Sequence, residues 1–162
     1  MDIGVSNKTP VAVMTFEPHP RAFFRPEQEA FRLCPFRMKA QLIAAMGVDY
    51  LYVQKFDQTF SERSAKNFVE EILVNGLGVS HIVVGYDYVF GHKRGGNVEV
   101  LRQLADSFGF GVTAVEEMKM DSGVRFSSTN IRNHLKEGQC TEAAKLLGRY
   151  WEIEGRVELG DQ

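Results

Sequence analysis

The sequence predicts an α/β domain with a doubly wound, mainly parallel sheet, on three observations. Four short apolar runs recur along the chain, segments of helical period separate them, and glycines punctuate the helix ends. Strand alternating with helix at this spacing argues for parallel strands joined by right-handed crossovers. Ligands in such sheets bind beyond the carboxyl ends of the strands, so functional residues are expected just after the apolar runs.

The first run is Val11-Ala12-Val13-Met14-Thr15-Phe16 and the second is Tyr50-Leu51-Tyr52-Val53. His81-Ile82-Val83-Val84-Gly85 and Gly111-Val112-Thr113-Ala114-Val115 complete the set. Their hydrophobicity is mostly continuous, as in strands covered on both faces. Met38, Leu42, Ala45 and Met46 fall at i, i+4, i+7 and i+8, predicting a helix with a Met38/Met46 core stripe. Ala65, Phe68, Val69 and Ile72 predict a second helix, and Val98, Leu101, Leu104, Ala105 and Phe108 a third. Gly47, Gly76/Gly78 and Gly109 sit where left-handed caps are expected. Later helices are expected from Ser127 to about Lys136 and from Thr141 to Leu147, and Trp151 to Val157 alternates like a strand. His81 and His134 read as packing or surface residues, and Glu116-Glu117 as solvated.

Composition narrows the function classes. The 162 residues are 44% hydrophobic and 25% charged, an ordinary globular balance with apolar content for one sizeable core. Nineteen Lys+Arg against twenty-one Asp+Glu give a formal charge of -2. That excludes a generally basic, nucleic-acid-coating protein and leaves a local basic patch open. No apolar run approaches the roughly 18–20 residues of a membrane helix, and Met1-Asp2-Ile3-Gly4 lacks the layout of a secretory signal. Cys34 and Cys140 form neither a metal spacing nor a disulfide framework. The expected setting is the cytoplasm, with no membrane and no nucleic-acid partner.

Three constellations follow the strand ends. In Thr15-Phe16-Glu17-Pro18-His19-Pro20, two prolines flank His19 and predict a stiff extended loop able to wall a ligand pocket. The same residues also fit a structural turn with an exposed histidine. Gly85-Tyr86-Asp87-Tyr88-Val89-Phe90-Gly91-His92-Lys93-Arg94-Gly95-Gly96 gathers a carboxylate, three aromatics, a basic pair and four glycines. Glycines admit an anion to backbone amides, the basic pair adds charge, and aromatics stack on planar rings. It is not a Walker loop, since no Gly-Lys-Ser/Thr follows; a surface loop with solvated charges is the alternative. Ser127-Ser128-Thr129-Asn130-Ile131-Arg132 opens a helix. One hydroxyl residue serves as an N-cap; three with an arginine on the first turn suit phosphate groups.

Taken in order, Thr-Phe-Glu-Pro-His-Pro, Gly-x-Asp-aromatic-x-Phe-Gly and Ser-Ser-Thr-x-Ile-Arg resemble the FAD synthetase (FMN adenylyltransferase) domain of bacterial bifunctional riboflavin kinase/FAD synthetases. The resemblance runs from about Val11 to Val157 and includes Leu146-Leu147-Gly148-Arg149, similar to the connector before the family's kinase domain. It implies a Rossmann-like fold of nucleotidyltransferase type and transfer of AMP from ATP to FMN, giving FAD and pyrophosphate, with Mg²⁺ accompanying ATP. On that likeness Pro18, His19, Pro20, Asp87, Tyr88 and Phe90 border the FMN site. Ser127, Ser128, Thr129 and Arg132 hold the phosphates of ATP, Asp87 and Arg132 are the candidate catalytic residues, and no metal ligand is assigned. Residues 1–148 would form the adenylyltransferase domain and residues 149–162 the connector and first strand of a riboflavin kinase domain.

One element of the family pattern is missing. Its signature, Gly-x-Phe-Asp-Gly-x-His-x-Gly-His, belongs to the first strand and helix, and only ten residues precede Val11 here. Met1-Asp2-Ile3-Gly4-Val5 resembles the last turns of that helix. The expectation is an amino-terminally incomplete chain, lacking the first strand and most of the first helix, with impaired turnover. A non-catalytic flavin- or adenine-nucleotide-binding module is the alternative reading.

Overall fold

All four apolar runs are strands. The computed structural model describes residues 1–27, 32–117, 126–153 and 155. The chain runs α1 (Asp2–Asn7), β1 (Ala12–Glu17), α2 (Pro20–Phe24), α3 (Phe36–Ala45), β2 (Tyr50–Lys55), α4 (Gln58–Ser61) and α5 (Ala65–Asn67), continuing as a π-helical stretch (Phe68–Val74). There follow β3 (His81–Gly85), β4 (Val89–Phe90), a 3-10 turn (His92–Arg94), β5 (Gly96–Asn97), α6 (Val98–Phe108), β6 (Gly111–Val115), α7 (Ser128–Lys136) and α8 (Cys140–Leu147).

The strands pair as β1 with β2, β3 with β6, and β4 with β5. Val11 O accepts from Asp49 N and Tyr50 N, while Glu17 O accepts from Phe56 N, so β1 and β2 advance together and are parallel. β3 and β6 are parallel from His81↔Gly111 to Gly85↔Val115. Among the described residues only β4 and β5, which no alternating pattern announced, are antiparallel.

Two compact units divide these elements. The first takes Met1–Thr15, Arg25–Gln54 and the described residues of Lys119–Gln162. There Ile131 of α7 packs with Ala143 and Leu146 of α8, and Leu33, Leu135 and Leu147 close around them. Met38 is buried as expected, but Met46 is 70% exposed. It has left the core stripe because α3 ends at Ala45 and Met46 is already the cap, ahead of Gly47 at φ +76°. The described part of the alternating tail, Trp151–Ile153, is neither helix nor strand, and the remainder apart from Gly155 lies outside the described residues. The Trp151 indole N–H donates to Leu33 O at 3.1 Å.

The second unit takes Phe16–Phe24 and Lys55–Met118. Val69 and Leu101 are fully enclosed, with Phe68, Leu73 and Ala105 buried beside them in sequence. The helix expected through Ala65, Phe68, Val69 and Ile72 is present, but from Phe68 onward it is wound as a π-helix. Its start is fixed by Ser64 Oγ, which accepts from Asn67 N at 3.1 Å. Gly78 (φ +60°) and Gly109 (φ +78°) are left-handed, whereas Gly76 is not. His81 is a packing residue, as read. Its ring covers Gly111, where a side chain would clash, and its Nε2 lies 2.9 Å from Thr113 Oγ1. Glu117 departs from expectation: it is half-buried and accepts from the Tyr86 hydroxyl at 3.2 Å.

Candidate functional site

The first constellation is not an extended loop. Glu17-Pro18 is a cis peptide and Pro20 is the first residue of α2. His19 O accepts from Ala22 N (2.8 Å) and Phe23 N (3.1 Å), and His19 Nδ1 accepts from Arg21 N at 3.1 Å. The physical reason is positional. Proline breaks a helix interior, yet it suits the first turn, where its missing N–H would have no partner and its φ is already helical. His19 thus caps a short helix whose next residues, Arg21 to Phe24, are presented by that cap.

Within the second unit, this helix and the Gly85–Gly96 segment meet around a cavity of about 420 Å³. That volume lies inside the ~300–1,000 Å³ range of small-molecule sites. Phe16, Phe24, Phe56, Phe60, Phe68 and Phe90 line it, with Tyr88. The rings touch in sequence: Phe24 to Phe56 (5.7 Å between centroids), Phe56 to Phe60 (5.4 Å), Phe60 to Phe68 (5.9 Å) and Phe68 to Phe90 (5.7 Å). Most of these contacts are edge-on, the arrangement that ring quadrupoles favour. Burial pushes the Tyr88 phenol up to about 12.

Four cations complete the lining, Arg21, Arg63, Lys93 and Arg94, and no carboxylate does so among the described residues. Arg63 is paired with Glu71 of the π-helical stretch. Arg21, Lys93 and Arg94 have no ion pair among the described residues. The segment carrying the last two is an ordered structure rather than a loose loop. Gly91, Lys93 and Arg94 have φ of +73°, +52° and +58°. A left-handed non-glycine residue costs on the order of 1–2 kcal/mol, so two in succession require external support. Gly91 must be glycine on a second count, because a Cβ there would stand 2.6 Å from Ala65 N.

Of the flavin-bordering residues expected from sequence, Pro20, Tyr88 and Phe90 line the cavity. Pro18, His19 and Asp87 do not; each lies within two residues of one that does, and Asp87 is in the turn between β3 and β4. The residues expected from sequence to hold phosphate belong to the first unit. Ser127 is the N-cap of α7, its Oγ accepting from Asn130 N at 3.1 Å. Ser128 and Thr129 are exposed on the opening turn, and Arg132 is half-buried one turn on. In the same unit, Lys39 Nζ donates to Thr15 Oγ1 at 2.8 Å, a basic group near the carboxyl end of β1 that no sequence motif marked. Phe24, Phe56, Phe60 and Phe68 were missed for the same reason. They lie outside the three motifs, and the available signal was only the number of rings, 12 Phe in 162 residues.

The model of the family described as FAD synthetase matches residues 1–130. A bifunctional riboflavin kinase/FMN adenylyltransferase of Pseudomonas fluorescens is 41% identical over 162 residues, all of this chain and 50% of that protein. Its Escherichia coli K12 counterpart is 36% identical over 159 residues, 98% of this chain and 50% of that protein. The chain therefore spans about half the length of these curated relatives. Among solved structures, one described as a macrolide-efflux protein from Streptococcus pneumoniae superposes with a TM-score of 0.76 at 26% identity, over 91% of this chain and 47% of that one. No helix among the described residues is long and apolar enough to cross a membrane. A pantoate-beta-alanine ligase from Francisella tularensis, at 14% identity and a TM-score of 0.50 over 90% of this chain and 71% of that one, shares the fold alone. The fold is α/β, Rossmann-like and of nucleotidyltransferase type. With four-fifths of its length matched by one family model, this chain belongs to the FAD synthetase family.

Proposed function

We propose that the protein transfers AMP from ATP to FMN, forming FAD and pyrophosphate, with the flavin ring seated in the aromatic cavity. The carrying observation is the lining itself, a wall of rings with cations and, among the described residues, no carboxylate. A planar apolar ring system bearing a phosphate tail matches both parts. The ring stacks on aromatic faces, and the anion meets Arg21, Lys93 and Arg94. Pro20, Tyr88 and Phe90 would touch the flavin, Pro18 and His19 would set the approach of α2, and Asp87 would help position FMN or its metal-screened phosphate.

ATP would be held at the start of α7. Ser127 is occupied as the cap, which leaves the Ser128 and Thr129 hydroxyls and the opening amides for phosphate oxygens, with Arg132 as counter-charge. The Mg²⁺ expected here enters as part of the substrate, on the ATP phosphates, an ordinary arrangement for this ion. Among the described residues no group of three or more His, Cys, Asp or Glu could hold a metal ion. An FMN phosphate oxygen attacks the α-phosphorus, the α–β bridging bond breaks, and pyrophosphate leaves with the electron pair. The nucleophile is already an anion, so orientation and charge neutralisation supply the catalysis. The cytoplasm, which supplies both substrates, is the matching compartment. The riboflavin kinase activity in the relatives' names would reside in the half of their length that this chain does not cover.

Incubation with FMN, ATP and Mg²⁺, followed by chromatography, tests the reading. FAD and pyrophosphate should appear in equal amounts. Flavin fluorescence quenching without ATP consumption would instead identify a binding module, and neither signal would overturn the reading.

A further inference from the structure

The β4–β5 pairing brackets the cationic turn, and His92 ties it to the neighbouring wall of the cavity. His92 N donates to Arg63 O at 2.7 Å, and His92 Nδ1 lies 3.2 Å from Ser61 O. A carbonyl oxygen only accepts, so Nδ1 carries the proton in this contact. Both bonds run to the stretch from the last residue of α4 toward α5, which contributes Ser61 and Arg63 to the lining. The turn's own bonds, Arg94 N to Gly91 O and Gly95 N to His92 O, both at 3.0 Å, close it upon itself and do not anchor it to that segment.

We propose that His92 is a positioning residue. Its amide and imidazole hold the left-handed Lys93–Arg94 pair, with Arg63, in one fixed arc, and that arc selects a phosphorylated flavin over riboflavin. The inference rests on the flavin reading above and extends it to the residue that sets specificity. His92 does not line the cavity, whereas Gly91, Lys93 and Arg94 on either side of it do. It therefore acts on the ligand only through its neighbours. Two consecutive non-glycine residues in the left-handed region would relax without an outside anchor, and the bonds to Ser61 and Arg63 are such an anchor. An aromatic wall grips the ring with little regard to what hangs from it, so discrimination between FMN and riboflavin falls to the arc.

The test compares the wild-type chain with His92→Ala and His92→Asn, using FMN and riboflavin as separate probes in fluorescence titrations. Limited trypsin digestion follows the Lys93 and Arg94 bonds in the absence of flavin. His92→Ala should weaken FMN about tenfold, as expected for loosening a charge-assisted contact, and leave riboflavin unchanged. Trypsin should cut after Lys93 or Arg94 several times faster. Asparagine, whose amide nitrogen overlays Nδ1 and can donate to Ser61 O, should restore both measurements. Equal losses for the two flavins, no loss for FMN, or an asparagine variant no better than alanine would overturn the proposal. A wild-type chain that takes up neither flavin overturns the flavin reading and the selectivity drawn from it, and trypsin then reports separately whether the anchor exists.

Discussion

The rings of Tyr88 and Phe90 stack almost parallel, their planes 15° apart and their centroids at 5.3 Å. Two residues apart at the start of β4, they project to the same side of an extended backbone, while Val89 between them is 40% exposed. The Tyr-Val-Phe sequence thus builds a double-ring face into the cavity from three residues.

Burial of the Tyr88 phenol makes stability depend on alkaline pH. Its folded value of about 12 exceeds the ordinary 10.0, so the neutral form is favoured in the folded chain. The contribution, on the order of 2 kcal/mol, is complete below pH 10 and is lost as pH rises toward 12. Denaturant midpoints measured from pH 8 to 12 should fall across that window, and Tyr88→Phe should flatten the fall.

Phe56 joins the aromatic wall from four sides, meeting Phe16, Phe23, Phe24 and Phe60. Phe56→Ala should cost about 3 kcal/mol in urea unfolding and abolish flavin quenching. Phe56→Leu, which keeps most of the volume, should retain most of the stability and lose part of the quenching.

At the start of α7, two neighbouring serines separate folding from ligand binding. Ser127→Ala removes the cap to Asn130 N and should lower stability by about 1 kcal/mol. Ser128→Ala removes an exposed hydroxyl and should leave the unfolding midpoint in place while raising the KM for ATP several-fold. Equal stability losses would assign both hydroxyls to capping.

Arg132→Ala should raise the KM for ATP more than that for FMN, because it removes a charge one turn into α7. Asp87→Ala should lower FAD formation with the thermal midpoint unchanged, Asp87 being exposed in its turn. A collapse of the midpoint would make Asp87 a structural residue.

The strands were legible because their pattern is local. His81–Gly85 and Gly111–Val115 match the apolar runs residue for residue, and β1 is shifted by one. The caps at Gly47, Gly78 and Gly109 and the hydroxyl at Ser127 were equally readable, since each is decided within one helical turn. The start of α2 was not, because Pro-His-Pro satisfies the rule for ending a helix and the rule for beginning one. The π-helical winding at Phe68 leaves the apolar spacing intact and so gave no sign. The left-handed Lys93 and Arg94 follow His92, which bonds to carbonyls of residues about thirty positions earlier, a distance at which composition carries no signal.

The cavity draws its walls from Phe16–Phe24 and from residues as late as Arg94, with a stretch of the other unit intervening in the sequence. A nascent chain emerging from the ribosome therefore displays the first phenylalanines long before the residues that cover them. Closing such a span carries an entropic cost before any ring contact is made. Early intermediates should be sticky toward chaperones, and a ligand able to bridge the rings would speed the last step of maturation.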